Sequence, residues 1–255
     1  MYGFKSCIKN DTIKIMKIVS FDVGIKNLAV CVINIESQKI NIVYWDVINL
    51  IDDIICECMM TNKNGKKCKN MSKFIYNKST YLCKKHAKDK DDSEIKKIVN
   101  KKVRNISLQD KNIILIKKLD ELFENFKEAE LILIEQQPSK NPTMKNFSIM
   151  LHNFFIIRGM IDNEDSKIKN IKFVSPRNKL KVYNGPYVEC KLKSKYARTK
   201  YLGTKYCEYI LNNELSDTEE DICKFNKHKK KDDLADCLLQ GLWYIKNNIA
   251  LYNKE

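Results

Sequence analysis

The chain has 255 residues, 44% of them hydrophobic, and a formal net charge of +15. That length suits one large domain, or one domain carrying an inserted module, with a real core. No apolar run reaches a membrane span and no signal-peptide pattern opens the chain, so a soluble intracellular protein is expected; the charge points to a polyanionic partner, not to a membrane or a small-molecule cofactor.

Residues 1–15 lack a clean period and read as an N-terminal extension, with the main domain expected over 16–250. The stretch KIVSFDVGIKNLAVCVIN (17–34) is the organising element. Ile18, Val19, Phe21 and Val23 form a short apolar run of β-formers that suits a buried strand. Gly24 supplies a turn, and Leu28–Ile33 returns as a second run, so the pair reads as a hairpin. Ile40–Asp46 alternates apolar and polar residues and predicts a third strand, completing an antiparallel meander. Asp22 lies inside the first run. A lone charge there is costly unless it pairs with a Lys, caps a turn or binds a metal.

Residues 56–88 change character to Cys, Lys and Asn and read as an inserted module. Cys58, Cys68, Cys83 and His86 stand as C-x9-C-x14-C-x2-H, a donor set that suits a tetrahedral structural Zn²⁺, with Cys56 a rival for the first position. The plainer alternative is a group of scattered reduced cysteines. The Lys-rich run from Lys63 to Lys90 makes the module either a further contact for a polyanionic partner or a clip that stabilises the fold. Residues 88–103 are highly charged and read as a solvated helix or a linker.

Ser107 is a good N-cap with Asp110 three positions on, and Ile113, Ile116, Leu119, Phe123 and Phe126 give a helical stripe. Glu130–Glu135 predicts a fourth strand that ends in a carboxylate. A loop with Pro138 and Pro142 follows. A helix from Met144 to Asp162 is apolar almost all round, as a core helix or a subunit seam requires. Ile171–Ser175 predicts a fifth strand, ended by Pro176. Residues 177–193 read as a basic loop. Residues 194–215 read as a helix carrying Lys195, Arg198, Lys200 and Lys205. Residues 216–226 read as an acidic turn, 227–231 as a basic run, and Asp232–Asn247 as the last helix. The order fits an α/β protein with a mixed sheet flanked by helices.

Glu135 ends a strand, where sites form in open α/β sheets. Asp233 and Asp236 are three apart and share a helical face beside the buried stripe. First-turn acids are favoured by the helix dipole, which accounts for Asp232 and Asp233 but not for Asp236. With Asp22, these acids suggest a hard-cation site for Mg²⁺ or Mn²⁺, able to serve phosphodiester hydrolysis.

FDVGIKNLAV around Asp22, LILIEQQPSKNPTMK around Glu135, SPRNKLKVYNG, and KKKDDLADCLLQG around Asp233 and Asp236 resemble the poxvirus-type Holliday junction resolvases. These are RuvC-like nucleases of the RNase H-like superfamily, and the blocks stand in the same order over 16–246. The resemblance implies an RNase H-like fold, with three antiparallel strands followed by parallel strands. It also implies a homodimer, symmetric Mg²⁺-dependent nicking of four-way DNA junctions, and a setting in cytoplasmic viral replication sites. Asp22, Glu135, Asp233 and Asp236 match the catalytic acids; Asp232 does not fall on the family position. The family pattern does not require residues 56–86. Lys140, Lys145, Arg177, Lys179, Lys181, Lys195, Arg198, Lys230 and Lys231 are the candidate DNA contacts. Two alternatives stay open: a less selective RNase H-like nuclease acting on hybrids or branched DNA, and a non-catalytic junction-binding protein.

Overall fold

The structure, a computed structural model, describes residues 15–36, 39–51, 57–88, 90–98 and 103–249. The expected extension at 1–15 therefore lies almost wholly outside the described residues, as does Cys56. The chain divides into two units, one made of Met1–Leu50 with Leu108–Glu255 and the other of Ile51–Ser107.

In chain order, the first unit opens with β1 (Ile15–Asp22), β2 (Asn27–Glu36) and β3 (Lys39–Asn49). The second unit holds β4 (Phe74–Tyr76), β5 (Thr80–Leu82), the single turn α1 (Lys84–Ala87) and β6 (Ile95–Lys97). The chain then returns to the first unit with α2 (Leu108–Leu122), β7 (Leu131–Glu135), α3 (Pro142–Phe154), β8 (Asn170–Val174), α4 (Lys195–Asn213), α5 (Glu219–Lys227) and α6 (Lys231–Asn248).

The main sheet runs β3-β2-β1-β7-β8. β1, β2 and β3 pair antiparallel, whereas β7 lies parallel to β1 and β8 parallel to β7. That order and polarity, with helices on both faces, is the RNase H-like arrangement. The hairpin between β1 and β2 turns at Gly24, where an added Cβ would sit 2.1 Å from the Asn27 carbonyl oxygen. Only glycine permits so tight an approach.

Period-two alternation divides the core. Ile18, Ala29, Cys31, Ile33, Leu131, Leu133 and Val174 face α4 and α6, where Cys207, Ile210, Leu234, Leu238 and Leu242 are buried against them. The intervening Phe21 joins an aromatic group on the other face, with its ring 5.6 Å from Phe126 and 5.5 Å from Phe155. Asp22 and Glu135 continue the register of the α6-facing set, because Phe21 pairs with Ile134 one step earlier on both strands. The two carboxylates thus leave the sheet side by side at the same end.

Three elements differ from the sequence expectation. The helix expected from Met144 to Asp162 is α3, capped by the Asn141 side chain accepting from the Met144 N–H at 3.2 Å, followed by a π-helical segment Phe155–Ile161. The segment is apolar but for Arg158, as the helix before it is largely apolar, so the composition gives no sign of the widened turn. The acidic run read as a turn is instead the first turn of α5, with Glu219, Glu220 and Asp221 at its dipole-favoured end and Lys224 and Lys227 in its last turn. Its Phe225 stacks on Trp45 at 5.4 Å. Within 88–103, Asp92–Glu94 makes a 3-10 turn and Ile95–Lys97 is the strand β6 against β4, not a helix.

In the second unit the sheet order is β5-β4-β6, and the β4–β5 hairpin turns through Asn77 and Lys78 at positive φ. No helix among the described residues is long and apolar enough to cross a membrane.

Candidate active site and metal centre

The position of α6 decides the site. Trp45 Nε1 donates to the Leu234 carbonyl at 3.0 Å, which fixes the first turn of the helix to β3. Two turns on, the buried Gln240 amide donates to Ser20 Oγ and to the Phe21 carbonyl, both at 3.1 Å, which fixes the helix to β1. Gly241 lets the helix come this close. A Cβ there would lie 2.5 Å from Ile33 Cδ1 and 3.2 Å from Ser20 Cβ. Asp236 is one turn before Gln240, and Asp233 almost one turn before that. The anchored helix therefore carries both acids toward the strand end that bears Asp22.

Three carboxylates from distant parts of the chain meet on one ammonium. Lys179 Nζ donates to Asp22 Oδ1 at 2.7 Å and lies 2.8 Å from Glu135 Oε1 and 3.3 Å from Asp236 Oδ2. The Lys179 side chain is only 6% exposed. It sits on the 3-10 turn Pro176–Val182 that follows β8. Gln137 Nε2 donates to Glu135 Oε2 at 2.7 Å and orients that carboxylate from the opposite side.

Burial, then the charge of Asp22, raise Glu135 to about 7 against the opposing pull of Lys179. Burial also raises Asp236, to about 6, with Lys179 again opposing. Burial works against the charge of Lys179, yet Asp22, Asp236 and Glu135 together hold it well above the usual lysine range. The site thus gathers more negative charge than one lysine neutralises.

Asp233 stands beside this group. Lys200 and Lys230 are each 3.7 Å from its carboxylate oxygens, and burial followed by the charge of Asp232 raises it. Asp232 pairs with Lys200 instead, and that contact outweighs its burial and holds it below the usual range. The expected acids Asp22, Glu135 and Asp236 are therefore together on Lys179, with Asp233 at their edge. Convergent carboxylate oxygens on a common cation are the donor chemistry of a Mg²⁺ or Mn²⁺ site.

Lys179 departs from its expected place as an exposed DNA contact: it is a buried member of the acid cluster. The SPRNKLKVYNG segment offers no signal for that, because the lysines flanking Leu180 look alike and only the 3-10 turn turns one inward. Gln240 and Trp45 are further residues that sequence reasoning passed over, and Lys200 stands out in sequence only as one of the basic residues of its helix. Among the other expected contacts, Lys140, Lys145, Arg177, Lys181, Lys195, Arg198 and Lys230 are exposed. Lys231 is half-buried, with its ammonium 5.6 Å from the Phe225 ring centre. Arg198 donates to the Leu192 carbonyl at 3.3 Å.

In the second unit, Cys58, Cys68, Cys83 and His86 bring their ligand atoms within 4.8 Å of one another. Cys58 Sγ lies 3.3 Å from His86 Nδ1, Cys83 Sγ 3.5 Å from the same nitrogen, and Cys68 Sγ 3.9 Å from Cys83 Sγ. A tetrahedron with Zn–S near 2.3 Å has edges of roughly 3.7 Å, so these separations fit a single ion. The Cys58 N–H donates to the Asn70 carbonyl at 2.9 Å and the Cys68 N–H to the Met60 carbonyl at 2.8 Å, tying the first two ligands into one hairpin. Burial opposes a Cys83 thiolate, but the backbone N–H groups of His86 and Lys85 and hydrogen bonds with Cys58 and Cys68 bring it down to about 6. A thiol ionised at neutral pH is ready for a metal.

No family model matches the chain. Solved structures similar to it include the yeast mitochondrial Holliday junction resolvase Ydc2, at 19% identity with TM-score 0.49, covering 91% of this chain and 79% of that one. The fowlpox virus Holliday junction resolvase is similar at 17% identity with TM-score 0.44, covering 91% of this chain and 98% of that one. T. thermophilus RuvC in complex with a Holliday junction is similar at 9% identity with TM-score 0.41, covering 91% and 95%. In sequence, "Uncharacterized protein L451" of Acanthamoeba polyphaga mimivirus is 30% identical over 316 aligned positions, covering 90% of this chain and 74% of that protein. At that identity and coverage, this chain belongs to the same protein family as the mimivirus protein.

Proposed function

We propose that this chain is a divalent-cation-dependent endonuclease that resolves four-way DNA junctions as a homodimer. The observation that carries the reading is the meeting of Asp22, Glu135 and Asp236 on Lys179, three acids more than a hundred residues apart at their extremes, at the strand ends of an RNase H-like sheet. Acids placed for solubility or for helix capping have no reason to converge in a buried pocket.

Asp22, Glu135, Asp236 and Asp233 are the residues that would hold Mg²⁺ or Mn²⁺. Bound there, the cation supplies Lewis acidity toward the phosphate and a more acidic water for in-line attack. Gln137 keeps Glu135 aimed inward. Lys179 holds the carboxylates together against their mutual repulsion, and its ammonium is the cationic donor nearest a phosphate oxygen brought to them. The exposed Lys140, Lys181, Lys195 and Lys230 supply backbone contacts that position DNA without reading sequence.

The homodimer follows the resemblance of the sequence blocks. Ile157, Met160 and Ile161, exposed along the π-helical segment, support a seam there. Residues 56–88 act as an inserted Zn²⁺ module; three thiols and an imidazole at tetrahedral separations support zinc over harder ions. Kinship with a mimivirus protein supports a viral setting; a role in viral DNA processing at cytoplasmic replication sites follows the resemblance of the sequence blocks.

The test is cleavage of a synthetic four-way junction with Mg²⁺, mapping nicks on all four strands beside a linear duplex. Paired nicks on opposing strands, lost in Asp22→Asn while binding persists, are expected. Equal cutting of duplex would discard the junction function and keep the nuclease. A second reading draws on Lys179 itself: an internal counter-ion also suits a junction-binding protein that cuts nothing. Tight binding without cleavage by any divalent cation would select it.

A further inference from the structure

Beside the acid cluster lies a cavity of about 660 Å³ between the exit of β7, the first half of α3 and the exit of β8. We infer that it is a nucleotide subsite that takes one base of the strand being cut and gives the nuclease a sequence preference. The inference rests on the proposed function and names a contact that reading leaves open.

The lining has the character of a base pocket. Phe173 is 43% exposed and Ile149 43%, so an aromatic face and a branched aliphatic side chain look into the cavity. The His152 ring backs Phe173 in parallel at 5.5 Å, which fixes its orientation. A base stacked on such a ring exchanges water for a π-face. Edge recognition is available from Gln136, whose side-chain amide makes no hydrogen bond among the described residues. A free amide offers one donor and one acceptor to a base edge. Lys145 and Arg177 line the same cavity, and among the described residues neither forms an ion pair. Two unpaired cations beside an aromatic wall suit the phosphates on either side of a stacked base and not an apolar ligand.

The position relative to the chemistry completes the case. Gln137 lines the cavity and donates to Glu135. Phe173 faces the side of the sheet opposite Glu135 and Val174, and Gln137 links the cavity to the acids around the strand ends. The volume lies within the range of small-ligand pockets. A second copy of the chain laid on this face would cover the apolar wall but would bury Lys145 and Arg177 unpaired.

The experiment uses the full chain and four-way junctions in which 5-iododeoxyuridine is walked through the nucleotides flanking the crossover. Irradiation without divalent cation, followed by mass spectrometry, should crosslink Phe173 from one position. With Mg²⁺ and a junction randomised around the nick, one base should be favoured roughly tenfold, the order that an amide contact to a base edge supplies. Phe173→Ala should slow all sequences roughly tenfold, because stacking accepts any base. Gln136→Ala should flatten the preference to within about twofold. The inference is overturned if no position crosslinks to Phe173, if Gln136→Ala leaves the base preference intact, or if Phe173→Ala elutes as a monomer where the wild type is a dimer. A Phe173 crosslink without cleavage would refute the nuclease and leave the subsite. Paired nicks without crosslink or preference would do the reverse.

Discussion

Glutamine at position 135 should make the protein more stable at pH 8 and abolish the proposed junction cleavage. Glu135 is raised to about 7 by burial and by Asp22, from an ordinary value of 4.5. A carboxyl whose folded value is raised contributes stability that is fully present below about 4.5 and is lost as pH rises through about 7. The shift of some 2.5 units corresponds to about 3 kcal/mol at pH 8, at 1.36 kcal/mol per unit. Glutamine resembles the protonated acid in shape and charge, so Glu135→Gln should remove that penalty. The Lys179 contact at 2.8 Å becomes a neutral one, but Lys179 keeps Asp22 and Asp236.

The assay is urea unfolding at pH 5 and pH 8 with no divalent cation, followed by tryptophan fluorescence. The chain has two Trp, Trp45 and Trp243, and both lie in the unit that holds the acid cluster. The variant should exceed wild type by about 1 kcal/mol at pH 5 and by about 3 at pH 8, the latter a shift of roughly 5–10 °C in Tm. An equal difference at both pH values, or a less stable variant at pH 8, would refute the electrostatic account.

Lys179→Met removes the shared counter-ion and should destabilise the same unit by about 3–5 kcal/mol at pH 8, as broken buried pairs do. The loss should shrink at pH 5, where Glu135 and Asp236 are protonated; a pH-independent loss in the same urea assay would point to packing alone. Gly241→Ala forces a Cβ to 2.5 Å from Ile33 Cδ1. It should cost about 1–3 kcal/mol and lower kcat for junction cleavage, and an unchanged kcat would dissociate helix docking from the site. The purified chain should carry about one zinc by elemental analysis. Cys68→Ala should lose it, and a variant that keeps its full complement would remove Cys68 from the ligand set.

The sheet was legible because its strands obey simple periods. LILIE at 131–135 is short, continuous and apolar, as a strand buried on both faces must be, and Asp22 interrupts its run at the one place where a charge is expensive. The Cys/His spacing was legible for a similar reason, since few patterns gather those donors at such distances. Lys179 was not. Its burial is decided by a 3-10 turn after β8 and by three partners up to 157 residues away, none of which leaves a local trace. Helix α5 was missed because its acidic first turn looks like a solvated loop, and its one buried aromatic finds its partner in β3. What sequence hides is the long-range neighbour, and both misses are residues whose state depends on one.

The buried ammonium also says how the site must behave before it works. Asp22 and Glu135 are forced side by side by the parallel register of β1 and β7, and Asp236 is brought in by a helix pinned at Leu234 and Gln240. None of these constraints relaxes when no cation is present, so the repulsion among the acids falls on the fold. Lys179 answers part of it, and below about pH 7 and pH 6 protons on Glu135 and Asp236 answer more. A divalent cation entering the cluster must therefore displace protons and compete with an ammonium. Its affinity should rise steeply between pH 6 and 8, and its binding should release protons measurable in weakly buffered solution. A site whose affinity were flat across that range would mean that the cation binds at the exposed edge, by Asp233, and not among the three acids held by Lys179.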